Sequence, residues 1–227
     1  MVTYYTALGQ MRTKEENGNK IPIIVIEDCE YQISIDELII WKSLHWTFLV
    51  KETLEKEYSR EKAKNRIFND TSFEQTLKRL EIRGLVVSGT DYLAVDALYG
   101  LIGKLKIRPV RIALADKLKS MAYLYFVKGI PFAKCYAAYF GTGITPNEKN
   151  VLRLSRKVGI TTAEIISCVE NDVKDIGRED DIMDRVYGQE DATFETVAVQ
   201  SRFSELKSDI MKAVVNLYLK KRIIFEA

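Results

Sequence analysis

Residues 72–87, SFEQTLKRLEIRGLVV, constrain the fold more than any other stretch. Thr71 and Ser72 both offer a helix N-cap, with Glu74 and Gln75 respectively three residues on. Phe73, Leu77 and Leu80 fall at i, i+4 and i+7, so one face of this helix is apolar and must be covered. Gln75, Lys78 and Arg79 then point away from that face. Gly84 ends the helix where a left-handed backbone costs least. Leu85, Val86 and Val87 read as a strand. Gly89 supplies a turn within SGTD (88–91), and YLAV (92–95) returns as the partner strand of a hairpin. Asp96 then caps a further short helix.

Upstream, IPIIVI (21–26) is β-branched and apolar, the composition of a strand. Ser34 precedes IDELIIWKSLHW with Glu37 three residues on, a capping-box helix start. TFLVKETLEKEYS continues with Phe48, Leu49 and Leu54 as apolar positions. The connector 60–70, REKAKNRIFND, is polar and carries Arg60, Lys62, Lys64 and Arg66.

Downstream, Pro109 interrupts the chain, and 104–109 reads as a boundary. Helical spacing follows in RIALADKLKSMAYLYFVKG, then a second helix stopped at Gly141 or Gly143. Aromatic residues crowd here, among them Tyr123, Tyr125, Phe126, Tyr136 and Tyr139. They suit a buried junction, a dimer interface or a small-ligand pocket. Val151, Leu152, Leu154 and Val158 mark one helix, Val158-Gly-Ile-Thr a tight turn, and Thr161 or Thr162 the cap of the next. SELKSDIMKAVVNLYLKKRIIFEA then repeats the order of helix, basic residues and β-branched run found at 72–87, after an acidic stretch at 171–200.

Charge is distributed unevenly. Residues 106–160 hold 11 Lys and Arg against 2 Asp and Glu, whereas 161–205 hold 4 against 12. The basic block points to a polyanion or an acidic protein surface as partner; the alternative is that the two blocks pair with each other. Cys29, Cys135 and Cys168 are scattered, and His45 is the single histidine, so no zinc-ligand spacing exists and no metal or cofactor is expected. There is no phosphate loop, and Gly141-Thr-Gly143 is no dinucleotide fingerprint. Glu179, Asp180, Asp181 and Asp184 read as a solvated acidic run, and His45, between two tryptophans, as structural. No stretch is a convincing membrane span and no leader is evident, which gives a cytoplasmic expectation.

The order of two helices, a third helix, a glycine and a β-hairpin over 34–95, with TLKRLEIRGLVV at its centre, resembles the winged helix-turn-helix superfamily of bacterial transcriptional regulators. The connector before the third helix is longer than a tight helix-turn-helix needs. The resemblance implies an α+β, mostly helical chain: a winged-helix unit at 20–105, a helical linker or dimerisation segment at 106–144, and a second winged-helix-like unit at 145–227 with an acidic insertion. It implies double-stranded DNA as partner, no catalysis and a homodimer, with the third helix in the major groove. Gln75 and Arg79 are then base readers. Lys78 and Ser72 are phosphate contacts, joined by Arg60, Lys62, Lys64 and Arg66. In the second unit the helix at 161–172 is the candidate reader, but it carries Glu164, Glu170 and Asp172. Lys149, Arg153, Arg156 and Lys157 on the preceding helix are better phosphate ligands. A protein-docking module and a plasmid replication initiator are the alternatives.

Overall fold

Strand β1 (Val2–Ala7) lies between β5 (Leu49–Val50) and β6 (Val86–Asp91), antiparallel to both. The structure is a computed structural model, and it describes residues 1–16, 18–67, 71–110, 131, 143–188 and 192–227. Within them the chain is α+β and mostly helical. A meander of β2 (Gln10–Glu16), β3 (Asn19–Ile26) and β4 (Cys29–Gln32) follows β1. Helix α1 (Ile35–Leu44) lies between β4 and β5, helices α2 (Lys51–Lys64) and α3 (Phe73–Ile82) follow one another between β5 and β6, and α4 (Ala94–Ile102) follows β6. The remaining elements are β7 (Lys106–Pro109), α5 (Pro146–Leu154), β8 (Ile160–Thr161), α6 (Thr162–Glu170), α7 (Glu179–Val186), α8 (Phe194–Arg202), α9 (Lys207–Leu219) and β9 (Ile223–Glu226).

The two halves of the chain repeat one plan. β7 is central between β8 and β9, as β1 is between β5 and β6. The registers coincide: Tyr5 sits opposite Leu49 and Ser88, and Ile107 opposite Ile160 and Phe225. Ser34 caps α1 in a capping box with Glu37, and Thr145 caps α5 in one with Glu148. Both glutamates are buried, at 3% and 0% exposure. Each is met by the C-cap residue of a later helix in its half: Arg83 of α3 reaches Glu37 at 2.9 Å and Lys220 of α9 reaches Glu148 at 2.8 Å. Each cation also donates to a carbonyl two residues before the cap, Gln32 or Gly143.

The chain turns identically after those cations. Gly84 donates to Glu81 O and Leu85 to Leu80 O; Lys221 donates to Tyr218 O and Arg222 to Leu217 O. This double closure needs a left-handed residue, which is Gly84 at φ 66° and Lys221 at φ 58°. Lysine bears that conformation at a cost glycine avoids. Its ammonium lies 5.1 Å over the ring of Trp46, a cation–π contact that offsets part of the cost.

The halves share one core around Tyr218. Its hydroxyl accepts from Trp46 N at 3.0 Å and stands 2.8 Å from Thr6 Oγ1 and 3.2 Å from Ala7 O. Burial pushes its pKa up to about 12. Its ring packs on Phe48 and Phe225, and Trp46 Nε1 donates to Ile223 O. His45 is stacked on Trp46 and tilted against Trp41; burial and nearby Lys221 lower its pKa to about 4.

Four sequence expectations need correction. The hairpin after α3 does not form: Gly89 is inside β6, opposite Tyr4, and residues 92–95 lead into and start α4. Asp96 lies within the first turn of α4, whose N-cap is Leu93. Gly89 is small for a packing reason, since a Cβ there would stand 2.4 Å from Ala97 O. The first sheet reaches back to Val2, well before residue 20. Lys106–Pro109 is strand rather than linker. The rest of the linker expectation falls on residues that, apart from 110, 131, 143 and 144, lie outside the described residues, as do Tyr123, Tyr125, Phe126, Tyr136 and Tyr139.

Gly89→Ala is expected to destabilise the protein by about 1–3 kcal/mol through overpacking against α4, read by denaturant unfolding. An unchanged midpoint would mean that α4 can move away from β6. Glu148 supplies a pH test. Burial would raise its pKa, but Lys220 and the Thr145 N–H together hold it below its ordinary 4.5. Its contribution is therefore complete above that value and lost as pH falls through the lower folded one. Glu148→Gln should flatten that part of the acid limb of a stability–pH curve.

Candidate nucleic-acid interface

Helix α3 is fixed at both ends. At its start Ser72 Oγ accepts from Gln75 N at 3.2 Å, which leaves the hydroxyl proton available to donate. At its end Arg83 is held by Glu37. Phe73, Thr76, Leu77 and Leu80 are buried, as the sequence spacing requires. Gln75, Lys78 and Arg79 are exposed on the other face, together with Ile82 at 77%. Among the described residues no ion pair engages Lys78 or Arg79. Glu74, the acid of that face, is paired with Lys51 at 2.7 Å, which reduces its repulsion of an approaching anion.

The cations of the connector before α3 divide. Arg60 pairs with Glu57, and Lys64 with Glu61 at 3.4 Å; both pairs lie on the open surface of α2, where such contacts are weak and exchangeable. Arg66 is exposed, with a left-handed φ of 54° at the end of the α2 turn. Lys62 is instead engaged within the protein. Its ammonium is 3.6 Å from the largely buried Asp36 carboxylate and donates to Thr71 O at 3.0 Å. It also lies 5.3 Å from the centre of the Tyr58 ring, whose hydroxyl donates to Asp36 at 2.9 Å. Lys62 thus ties α2, α1 and the entry to α3 together. Asp91, at the end of β6, faces the second half and pairs with Arg202 at 2.6 Å. The Tyr92 amide and Arg202 hold its carboxyl below its ordinary pKa.

In the second half, the register makes α6 the counterpart of α2 and α9 the counterpart of α3. The expectation that 161–172 is the reader is therefore displaced. Thr162, Ala163, Glu164, Ile165, Ile166 and Cys168 of α6 are buried. Glu164 closes the helix cap on Thr161 and accepts from Tyr187 at 2.7 Å, so it faces no ligand. Lys149, Arg153, Arg156 and Lys157 are all exposed. Arg153 donates to Asn150 at 3.0 Å and Lys157 pairs with Asp175 at 3.1 Å. Lys212 and Asn216 of α9 were missed by the sequence reading, although the repeated order of helix, basic residue and strand pointed to that helix.

The chain matches no protein-family model, no curated protein and no solved structure. Among the described residues no cluster of His, Cys, Asp and Glu could hold a metal ion, and no helix is long and apolar enough to cross a membrane. The chemistry on offer at α3 is hydrogen bonding and charge, from an exposed amide, an ammonium and a guanidinium on one rigid face.

The two kinds of cation are separable by stability. Lys62→Ala is expected to cost about 1–3 kcal/mol, because it leaves Asp36 largely buried without its ammonium. Lys64→Ala and Arg60→Ala should each stay within about 0.5 kcal/mol of the parent. Equal midpoints for all three would contradict a structural role for Lys62.

Proposed function

We propose that this protein is a non-catalytic, sequence-specific regulator that binds double-stranded DNA through tandem winged-helix-like units. The observation that carries the reading is the exposed Gln75–Lys78–Arg79 face of α3, whose cations have no ion pair among the described residues, on a helix anchored at both ends. The order α1–β5–α2–α3–β6 supports it, since this is the winged-helix order of helix, strand, helix, helix, strand. Here β1, entering from before the first helix, takes the place of the returning wing strand. The reader is thus separated from the usual wing contact, and affinity must come from the helix and its flanking cations.

The physics of the face fits a major groove. Arg79 can form paired hydrogen bonds to guanine O6 and N7, and Gln75 to adenine N6 and N7. Ile82 offers an apolar surface to a thymine methyl. Lys78 suits a phosphate, and the Ser72 hydroxyl with the α3 N-terminus suits another. Expression in a cytoplasm and pairing of two chains belong to the same proposal. A plasmid replication initiator is the second reading, favoured by the coincident sheet registers of the two halves; it would select repeated sites rather than one operator.

The test is selection of bound sequences from a random duplex pool. Arg79→Ala should relax preference at one base position by about 1–3 kcal/mol. Lys78→Ala should weaken all duplexes about equally and reduce the salt slope by about one. Retention that ignores salt, or two variants indistinguishable from the parent, would overturn the assignment and favour a protein-docking surface.

A further inference from the structure

Resting on that reading, we propose that α9 is a second reading helix of different base preference. One chain then recognises a bipartite duplex with two dissimilar halves. The turn bonds after α3 and α9 place Leu80 against Leu217 and Gly84 against Lys221. The strand registers continue the same correspondence, Val86 with Ile223 and Ser88 with Phe225. Counting back along both helices, Ser72 corresponds to Asp209, Gln75 to Lys212, Arg79 to Asn216 and Ile82 to Leu219.

All four α9 residues are exposed, Leu219 at 50%. Helix α9 is anchored as α3 is, because Lys220 holds Glu148 just as Arg83 holds Glu37. Its inward side is closed by Ile210, Met211, Ala213, Val214, Leu217 and Tyr218. Among the described residues no ion pair engages Lys212. The two halves of the chain therefore present the same strip of the same helix to the outside.

The chemistry of the strips differs. Asn216 matches adenine through paired hydrogen bonds where Arg79 matches guanine, and Lys212 matches guanine where Gln75 matches adenine. Leu219 keeps the apolar contact of Ile82. Asp209 replaces Ser72, so α9 takes no phosphate at its first turn and instead offers an acceptor to a cytosine amino group. Val215, half-buried, stands where Lys78 stands, so α9 also lacks that phosphate contact. Exposed Lys149 and Arg153 on α5, which packs along α9, are the cations of this half. The second half thus contributes more to discrimination than to salt-dependent affinity.

The test uses the full chain and the same random duplex pool, with the parent, Arg79→Ala and the pair Lys212→Ala and Asn216→Ala. These side chains are exposed, and thermal melting checks that each variant is folded. The parent is expected to enrich two separated, non-identical blocks. Asn216→Ala should erase preference in one block, with about a ten- to hundredfold loss on the selected site. Arg79→Ala should erase preference in the other. A single palindromic block erased by Arg79→Ala would overturn the proposal. So would two blocks that both survive Lys212→Ala and Asn216→Ala; in either case DNA reading by α3 stands. No enrichment by the parent would fail the DNA reading itself, and the proposal with it.

Discussion

Each half of this protein depends on a strand that enters from outside its helical run. β5 and β8 are two residues long and could not persist as free edges. They are strands because β1 and β7 lie beside them and carry β6 and β9 on the other side. The central strand therefore decides where the short strand sits, and the short strand decides where α2 or α6 begins. Ala7 and Leu8, at the end of β1, are buried, and the Leu8 carbonyl receives the Trp41 indole N–H at 3.0 Å. Gly9 N donates to Phe225 O in the other half. A left-handed φ of 78° and a would-be Cβ only 2.4 Å from Val25 O leave no alternative to glycine at position 9.

That frame makes the exposed faces rigid enough to recognise anything. An ion pair on the surface would contribute little, but Glu37 and Glu148 are buried carboxylates that also close helix caps. Removing their cations would leave charge stranded inside the protein. The end of α3 is thereby fixed to the start of α1, and the end of α9 to the start of α5. A reader needs this, since hydrogen bonds to base edges tolerate little displacement of the helix. The same logic explains why Arg83 and Lys220, basic residues next to the candidate readers, are not themselves available to a ligand.

Local patterns in the sequence were legible where the cause is local. Phe73, Leu77 and Leu80 gave the buried face of α3, Ser34 with Glu37 gave the start of α1, and Gly84 gave the end of α3. The hairpin failed because a glycine can be small for two reasons. At Gly89 the reason is the approach of α4, which no neighbouring residue announces. The true partner of β6 is β1, more than eighty residues earlier, and a pairing of that span leaves no short-range signal. The α3 face was readable, whereas the α9 face required the register of β7 and β9. The contacts of Lys62 were not legible, because its sequence neighbours are surface charges while its partners Asp36 and Thr71 lie outside its own helix.

Charge counts along the chain mislead for the same reason. Several cations of the basic block 106–160 are already engaged: Lys106 with Glu27, Arg108 with Glu226, Lys157 with Asp175. Of these pairs, only the last joins the basic block to the acidic stretch that follows it. Glu27 and Glu226 come from the two ends of the chain and tie β7 to the β3–β4 turn and to β9. Among the described residues, Lys106 and Arg108 of that block thus hold β7 to its neighbours. Lys78 and Arg79 lie in a segment that is slightly acidic overall, yet among the described residues neither makes an ion pair. What a polyanion would meet is set by which cations the fold leaves unpaired on a fixed helix. By that criterion the exposed Lys78 and Arg79 of α3 count, although they lie outside the segment that looks most basic in the sequence.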